Sequence, residues 1–238
     1  MSDVKQIIYG KEFAFDEKEH AYFFDGAPVP GVTTILSCIN KPALMPWAVK
    51  MTRDYWLEAL KAGRTDHDKI HKESWNAHRN VSKAAADIGS NVHAYAEAAL
   101  KGLPLPELKT EEAKRGADAF HKWQSAHTIK LLASERRIFS LEHYYAGTCD
   151  LIAEIDGEYC VGDFKTSSGI YPEMRMQTAA YQHAIQEEKG FKVQSRWIIR
   201  FDKKTGEFEA KRFTDFDLDF KGFKSALDLH RALQAIAG

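Results

Sequence analysis

The sequence has few of the features that mark exported, membrane-spanning or nucleotide-driven proteins. It contains three cysteines among 238 residues and no CxxC spacing, so we expect reduced thiols and no four-cysteine cluster. Apolar runs are too short to cross a membrane. The N-terminus lacks a basic stretch followed by an apolar one, which predicts no signal peptide and a cytoplasmic location. No GxxxxGK[ST] segment occurs, so a nucleotide-driven motor is not expected.

The overall composition is that of an ordinary globular protein. Hydrophobic residues make up 44% and charged residues 28% of the sequence, and the formal net charge is −1. DNA-binding proteins are often basic overall, so this charge counts against nucleic acid as a ligand, although a local basic patch can still carry phosphate contacts. Without internal repeats or a Gly/Ser-rich linker, the sequence predicts a single domain over residues 1–238.

Hydrophobic periodicity divides this domain near residue 128. Residues 1–128 predict an N-terminal hairpin and a helical region, with Ser82 and Thr110 as two of the helix caps. Residues 129–238 predict an α/β catalytic core in the order β-β-β-α-β-β-α. The fold class is therefore α/β, with a mixed sheet flanked by helices. The core elements are expected at residues 131–140, 146–155, 158–165, 172–189, 193–201, 207–213 and 216–237.

A hairpin in the core is predicted to place two carboxylates side by side. Asp156-Gly157 lies between two strand-like runs and is a strong signature of a two-residue β-turn. Such a turn fixes the register and places Asp150 directly opposite Asp163, with Cβ atoms about 4.5–5.5 Å apart. Lys165, two residues beyond Asp163, points to the same face.

The charge pattern of this hairpin predicts a metal site. Two carboxylates this close repel each other unless a cation lies between them or one of them binds a proton. Hard divalent cations such as Mg²⁺ prefer oxygen ligands, and a neighbouring lysine suits attack on a phosphodiester. An exposed hairpin with incidental acids is the alternative. The opposite face is predicted to join the core through Leu151, Ala153, Ile155, Cys160 and Phe164.

The order of the motifs resembles a known nuclease family. The run GTCDLIAEIDGEYCVGDFKTSS resembles motifs II and III of the PD-(D/E)XK nuclease superfamily, with Asp150 before the hairpin and Asp163-Phe164-Lys165 after it. Gln177 and Tyr181 in QTAAY resemble the QxxxY motif of the RecB/Cas4-type branch, and His93 in IGSNVHAYAE resembles its upstream histidine. The segments PGVTTIL and PWAVK are similar to phage and bacterial members and to the mitochondrial genome-maintenance exonuclease. The fold implied is restriction-endonuclease-like.

This resemblance implies a divalent metal centre. Mg²⁺ or Mn²⁺ would be bound by His93, Asp150, Asp163 and the main-chain carbonyl of Phe164. The cysteines that hold an iron–sulfur cluster in some relatives are missing, so no cluster is expected. A histidine that only packs in the core is the alternative for His93.

The resemblance also implies roles for the other motif residues. Lys165 would orient a water molecule or stabilise charge in the transition state. Gln177 and Tyr181 would support the lysine and the DNA, and their spacing of four places them on one helix face. Glu97 and Glu135 are weaker candidates, expected to contact the metal ligands from outside.

Two other chemistries are less well supported by the sequence. His67 and His71 are four residues apart and could share one helix face, but convincing further zinc ligands are not evident nearby. Cys149 or Cys160 with His143 could form a thiol nucleophile and base, but no third group is evident to orient them.

The resulting expectation is a metal-dependent DNA nuclease, and the resemblance favours an exonuclease acting in DNA recombination, repair or phage DNA processing. Its partners would be DNA ends or single strands, with a recombination protein as a further candidate. If the chain is phage-encoded, its location would be the host cytoplasm. A structure-specific endonuclease and a non-catalytic DNA-binding recombination protein are the alternatives.

Overall fold

The N-terminal region begins with a small antiparallel sheet. The computed structural model describes residues 4–189 and 192–237. At the turn between the first two strands, Tyr9 and Gly10 have φ values of 50° and 74°, as two-residue hairpin turns that match the strand twist require. The predicted hairpin is formed by the second and third strands, and sequence analysis missed the outer two. The strands are β1 (Val4–Ile8), β2 (Lys11–Asp16), β3 (Ala21–Phe24) and β4 (Ala27–Val29).

The C-terminal region contains a five-stranded mixed sheet, which confirms the predicted α/β class. Its spatial order follows the chain, and adjacent strands are antiparallel except for the third and fourth, which are parallel. Helix α6 (Pro172–Lys189) provides the crossover that a parallel pair requires. The strands are β5 (Ile129–Ser140), β6 (Tyr145–Ile155), β7 (Glu158–Lys165), β8 (Ser195–Phe201) and β9 (Phe208–Phe213).

The remaining helices lie mostly in the N-terminal half. By its internal contacts the chain forms two compact units, one of Met1–Ile39 and Val92–Gly238, the other of Asn40–Asn91. The expected single nuclease domain, divided at residue 128, stays a prediction. Among the described residues, none of the helices is both long enough and apolar enough for a membrane crossing. They are α1 (Val32–Leu36), α2 (Leu44–Lys61), α3 (His67–Trp75), α4 (Ala77–Lys101), α5 (Glu111–Ala126) and α7 (Asp217–Ala237).

Two helix starts show how capping operates in this chain. Thr110 caps α5 as predicted, because its hydroxyl accepts a hydrogen bond from the Ala113 N–H at 3.1 Å. Ser82 does not cap α4, which already begins at Ala77. The polar residues just before Ser82 occupy the first turn of this long helix, where most of their side chains are exposed.

Apolar side chains cover both faces of the five-stranded sheet. On one face, Phe164 packs against Phe120 and Trp123 of α5, with ring centroids 6.5 and 5.8 Å away. The other face is apolar as well, because Ile152 and Val161 belong to a buried cluster with α6 and α7. The acids therefore lie at the margin of a core and not on a solvated face.

A buried ion pair joins the helices on this second face. Arg196 of β8 is fully buried, and its guanidinium donates to Asp219 Oδ2 of α7 at 2.7 Å and to the Arg175 carbonyl of α6 at 2.9 Å. It also contacts the main-chain carbonyl of Asp215. Arg175 itself donates to Asp219 at 3.1 Å. The pair thus ties α6 and α7 to the sheet beneath them.

Removing Asp219 would leave the buried guanidinium of Arg196 without its counter-ion. We expect Asp219→Ala to lower the free energy of unfolding by about 3–5 kcal/mol, the usual cost of breaking a buried pair. Asp217→Ala, an exposed acid in the first turn of the same helix, should cost about 1 kcal/mol or less. Urea denaturation followed by circular dichroism measures both. Equal losses in the two variants would contradict the assignment.

Candidate active site

The hairpin between β6 and β7 has the predicted register. Its turn is Asp156-Gly157, with φ values of 52° and 87°, and the pairs run from Ile155↔Glu158 to Leu151↔Gly162. Asp150 and Asp163 come one position beyond the last pair of this ladder. There the carboxylate of Asp150 accepts the N–H of Phe164 at 2.7 Å. The ladder therefore ends in a side-chain bond that fixes one oxygen of Asp150.

A third acid lies on the other side of Asp150. In the β5–β6 ladder the pairs Ser134↔Leu151 and Arg136↔Cys149 leave Glu135 opposite Asp150. Glu135 has a φ of 49°, an uncommon backbone conformation for a residue with a side chain. Three neighbouring strands thus each contribute one carboxylate to the same part of the sheet.

The electrostatics of Glu135 reflect this crowding. Burial raises its pKa from 4.5 to about 7, and the nearby charges of Asp150 and Glu97 add to the shift. Sequence analysis had placed Glu135 outside the metal ligands. The structure instead groups its carboxylate with His93 and Asp150, with one ligand atom from each lying within 4.8 Å of the others.

His93 is brought to this group by α4. Its Nδ1 lies 3.5 Å from Asp150 Oδ2, and its ring contacts Phe164 edge to face at 6.0 Å between centroids. Its side chain is about one quarter exposed, at 28%. His93 is therefore placed where one of its nitrogens could join the carboxylates in binding a cation, and its role as a ligand stays a prediction.

Asp163 is the most buried of the acids, at 1% exposure. Gln177 of α6 donates to its Oδ1 at 2.9 Å, and its Oδ2 forms an ion pair with the ammonium of Lys165. Burial raises the pKa of Asp163 to about 6, although the positive charge of Lys165 opposes the shift. Burial alone would lower the pKa of Lys165, but the carboxylates of Asp163 and Asp150 raise it, so the lysine keeps its proton.

Gln177 and Tyr181 act together on one face of α6, as their spacing predicted. The Gln177 amide uses its two N–H groups for Asp163 and for the Tyr181 hydroxyl, which it reaches at 2.7 Å. Burial raises the pKa of Tyr181, so its hydroxyl stays neutral. The ring lies against Gly147 of β6, where a Cβ would come within 2.8 Å of its Cε1 atom. Gly147 thus leaves the space that Tyr181 occupies.

The other candidates from the sequence do not join this group. Glu97 lies near enough to Glu135 to raise its pKa, but its own carboxylate forms an ion pair with Lys101 at 2.5 Å. Among the described residues, no group of three metal-binding side chains includes His67 or His71. Cys160 is buried, which raises its pKa to about 12. A thiol with that pKa is a poor nucleophile near neutral pH.

The comparisons with known proteins give only a distant likeness. No family model matches this chain, and no curated protein matches it. An alkaline exonuclease (LHK-Exo) from Laribacter hongkongensis is similar in structure at 12% identity and a TM-score of 0.35, over 64% of this chain and 86% of that one. The structure of LHK-Exo in complex with dAMP gives 13% identity and a TM-score of 0.36 over the same shares. A likeness at this level carries no information about function.

The raised pKa of Glu135 predicts a pH dependence of stability in metal-free protein. Its pKa is about 7 in the folded protein and 4.5 ordinarily. Protonated Glu135 therefore contributes its full stabilisation below pH 4.5, and this contribution is lost as the pH rises through 7. In EDTA, the free energy of unfolding of Glu135→Gln should fall by about 1–2 kcal/mol less than that of the wild type over this range, a figure reduced for partial solvent screening.

The measurement is urea denaturation between pH 4.5 and pH 8.5. Glu107→Gln, at an exposed loop position, serves as the control and should follow the wild-type profile. If the profile of Glu135→Gln also ran parallel to that of the wild type, the raised pKa would be refuted.

A methyl group at Gly147 should disturb the Gln177–Tyr181 pair. It would collide with the Tyr181 ring at 2.8 Å and press on Val32 at 3.3 Å, so Gly147→Ala should cost about 1–3 kcal/mol of stability. Gly169→Ala meets its nearest atom at 3.7 Å and should change stability much less. Thermal melts compare the two. A Gly147→Ala variant as stable as Gly169→Ala would show that the close approach is not a constraint.

Proposed function

We propose that this chain is a divalent-metal-dependent nuclease that hydrolyses phosphodiester bonds in DNA. The observation that carries the proposal is the convergence of His93, Glu135 and Asp150, with ligand atoms within 4.8 Å of one another. Beside them, on the next strand, buried Asp163 forms an ion pair with half-buried Lys165. A cation site next to a charged lysine is suited to a substrate that carries negative charge.

The donor set fits a hard or borderline divalent cation. Carboxylate oxygens are the preferred ligands of Mg²⁺, and an imidazole among them suits Mn²⁺ better. The ligands would be His93, Asp150, Asp163 and the main-chain carbonyl of Phe164. Glu135 is a further candidate, because its carboxylate lies close to His93 and Asp150. When bound, such a cation would offset the charge of the phosphate and make a water molecule more acidic.

The other side chains would act on the substrate directly or through their neighbours. The ammonium of Lys165 is positioned by Asp163 and is 21% exposed, so it can donate to a phosphate oxygen or to the attacking water. Gln177 would hold Asp163 in place through its 2.9 Å bond. Tyr181 would position Gln177, since its own hydroxyl is buried and accepts the second amide proton.

The choice of DNA and of an exonuclease rests on the family resemblance. The motif order from His93 through Asp150, Asp163 and Lys165 to the QxxxY pair resembles the RecB/Cas4-type branch of the PD-(D/E)XK superfamily. That resemblance favours the removal of nucleotides from DNA ends or single strands during recombination, repair or phage DNA processing, with Mg²⁺ or Mn²⁺ as cofactor.

The experiment compares end-labelled linear DNA with closed circular DNA in Mg²⁺, Mn²⁺ and EDTA. We expect degradation of the linear DNA in either metal, little attack on the circle, and no activity in EDTA. Cleavage of the circle would instead indicate an endonuclease. If DNA is bound but left intact in every metal, the chain is a binding protein, and the proposal is wrong.

Variants of this enzyme test the site itself. Asp150→Asn and Lys165→Ala should each lower cleavage by at least about 100-fold, the scale of losing one charge-stabilising group. DNA binding by Asp150→Asn should persist or tighten, because a negative charge near the phosphate is removed. Asp118→Asn, an exposed acid of α5, is the matched control and should cleave as the wild type does. Wild-type cleavage by Asp150→Asn would disprove the assignment.

A further inference from the structure

A second cluster of metal-binding side chains lies at the turn between β5 and β6. Glu142 and His143 are in this turn, and His183 is in α6, two residues beyond Tyr181. One ligand atom from each of the three lies within 4.8 Å of the others. His183 Nε2 is 3.4 Å from one oxygen of Glu142, and His143 Nε2 is 3.5 Å from the other oxygen. The two imidazoles thus approach the same carboxylate.

The turn that carries Glu142 and His143 is held in place by Glu187. One oxygen of Glu187 accepts the N–H groups of Leu141 and Glu142, both at 2.9 Å. Its other oxygen accepts the Ser140 hydroxyl at 2.7 Å. Since Glu187 lies one helical turn after His183 in α6, the same helix supplies a ligand and fixes the loop that supplies the others. Little ordering is then needed for a cation to bind.

Both ring nitrogens of His183 face hydrogen-bond acceptors. The Tyr145 hydroxyl gives its proton to the Ala180 carbonyl at 2.8 Å, so its oxygen can only accept from His183 Nδ1, which is 3.4 Å away. Glu187 Oε2 is 3.7 Å from the same nitrogen, and Glu142 Oε2 is 3.4 Å from Nε2. Because Tyr145 and Glu187 occupy the side of Nδ1, Nε2 is the nitrogen placed to share a cation with Glu142.

The rings and charges around His183 also affect its position and its protonation. The His183 ring stacks on Phe220 at 4.3 Å between centroids, and the His143 ring lies 4.9 Å from that of His183. Burial lowers the pKa of His183, and the neighbouring His143 lowers it further, while Glu187 and Glu142 oppose the shift. The neutral form of an imidazole is the form that binds a metal ion.

We propose that Glu142, His143 and His183 form a binding site for a divalent metal of the Zn²⁺ class, distinct from the site around Asp150. Two imidazoles and one carboxylate are a zinc donor set, and it leaves a fourth position for water. The softer nitrogen ligands would favour Zn²⁺ over Mg²⁺. Bound metal would fasten the β5–β6 turn to α6. This site does not depend on the proposed nuclease activity.

The test is a calorimetric titration of chelator-treated, full-length protein with Zn²⁺ at pH 7.5. We expect one site in Asp150→Asn, in which the candidate active site is disabled. Adding Glu142→Gln to that background should weaken its affinity by at least about 10- to 100-fold, the loss seen even for groups behind the ligands. Glu142 is 63% exposed, so its substitution should leave the fold intact. Glu107→Gln in the same background is the control and should bind as its parent does.

A second readout uses Co²⁺ in place of Zn²⁺. Tetrahedral coordination should give strong visible absorption in Asp150→Asn, and His143→Ala in the same background should abolish it while the circular dichroism spectrum is unchanged. Either of two results would overturn the proposal: no Zn²⁺ uptake at 100-fold excess over protein, or uptake that Glu142→Gln and His143→Ala leave unaltered. Neither result would bear on DNA cleavage.

Discussion

Carboxylates on adjacent strands repel each other, and most other contacts in the candidate site offset this repulsion. Glu135 and Asp150 are opposite each other across β5 and β6, and Asp163 follows on β7. Different groups stabilise the charges of two of these acids. Asp150 accepts a hydrogen bond from a backbone N–H, and Asp163 accepts one from a side-chain amide and forms an ion pair with an ammonium group. The pKa of Glu135 is raised because burial, and after it the charges of Asp150 and Glu97, disfavour the ionised carboxylate. Burial strengthens both the repulsion and the bonds that oppose it.

Helices cover both faces of the sheet, and this explains why the pKa values of these acids depend strongly on their neighbours. Aromatic rings of α5 exclude water beneath Phe164, and α6 covers the opposite face beside Asp163. Because little water screens the buried carboxylates, a single hydrogen bond or ion pair has a large effect on their pKa values. The same helix α6 therefore has two tasks: its apolar residues close the core, and Gln177 and Tyr181 reach the edge of that core where the acids lie.

The sequence predicted the parts of the site that depend on local rules. The Asp156-Gly157 turn determines the register of the β6–β7 hairpin, so the relation of Asp150 to Asp163 could be inferred without a structure. Glu135 could not be placed in the same way. Its strand is joined to β6 by a four-residue turn without a two-residue signature, and the ladder is irregular before Ala133. Nothing local indicated which residue would lie opposite Asp150. The second cluster depends on how α6 packs over that turn, which periodicity does not describe.

The helical repeat of α6 also limits where the chain can accept an inserted residue. Each residue turns an α-helix by about 100°, so Gln177 and Tyr181 share one direction while His183 points in another. A single insertion between Tyr181 and His183 would swing everything beyond it by that angle. His183 would leave Phe220, and Glu187 would release the β5–β6 turn, while the Gln177–Tyr181 pair stayed in place. Natural length variation should therefore be accepted in the loops on either side of this helix and rejected within these few residues.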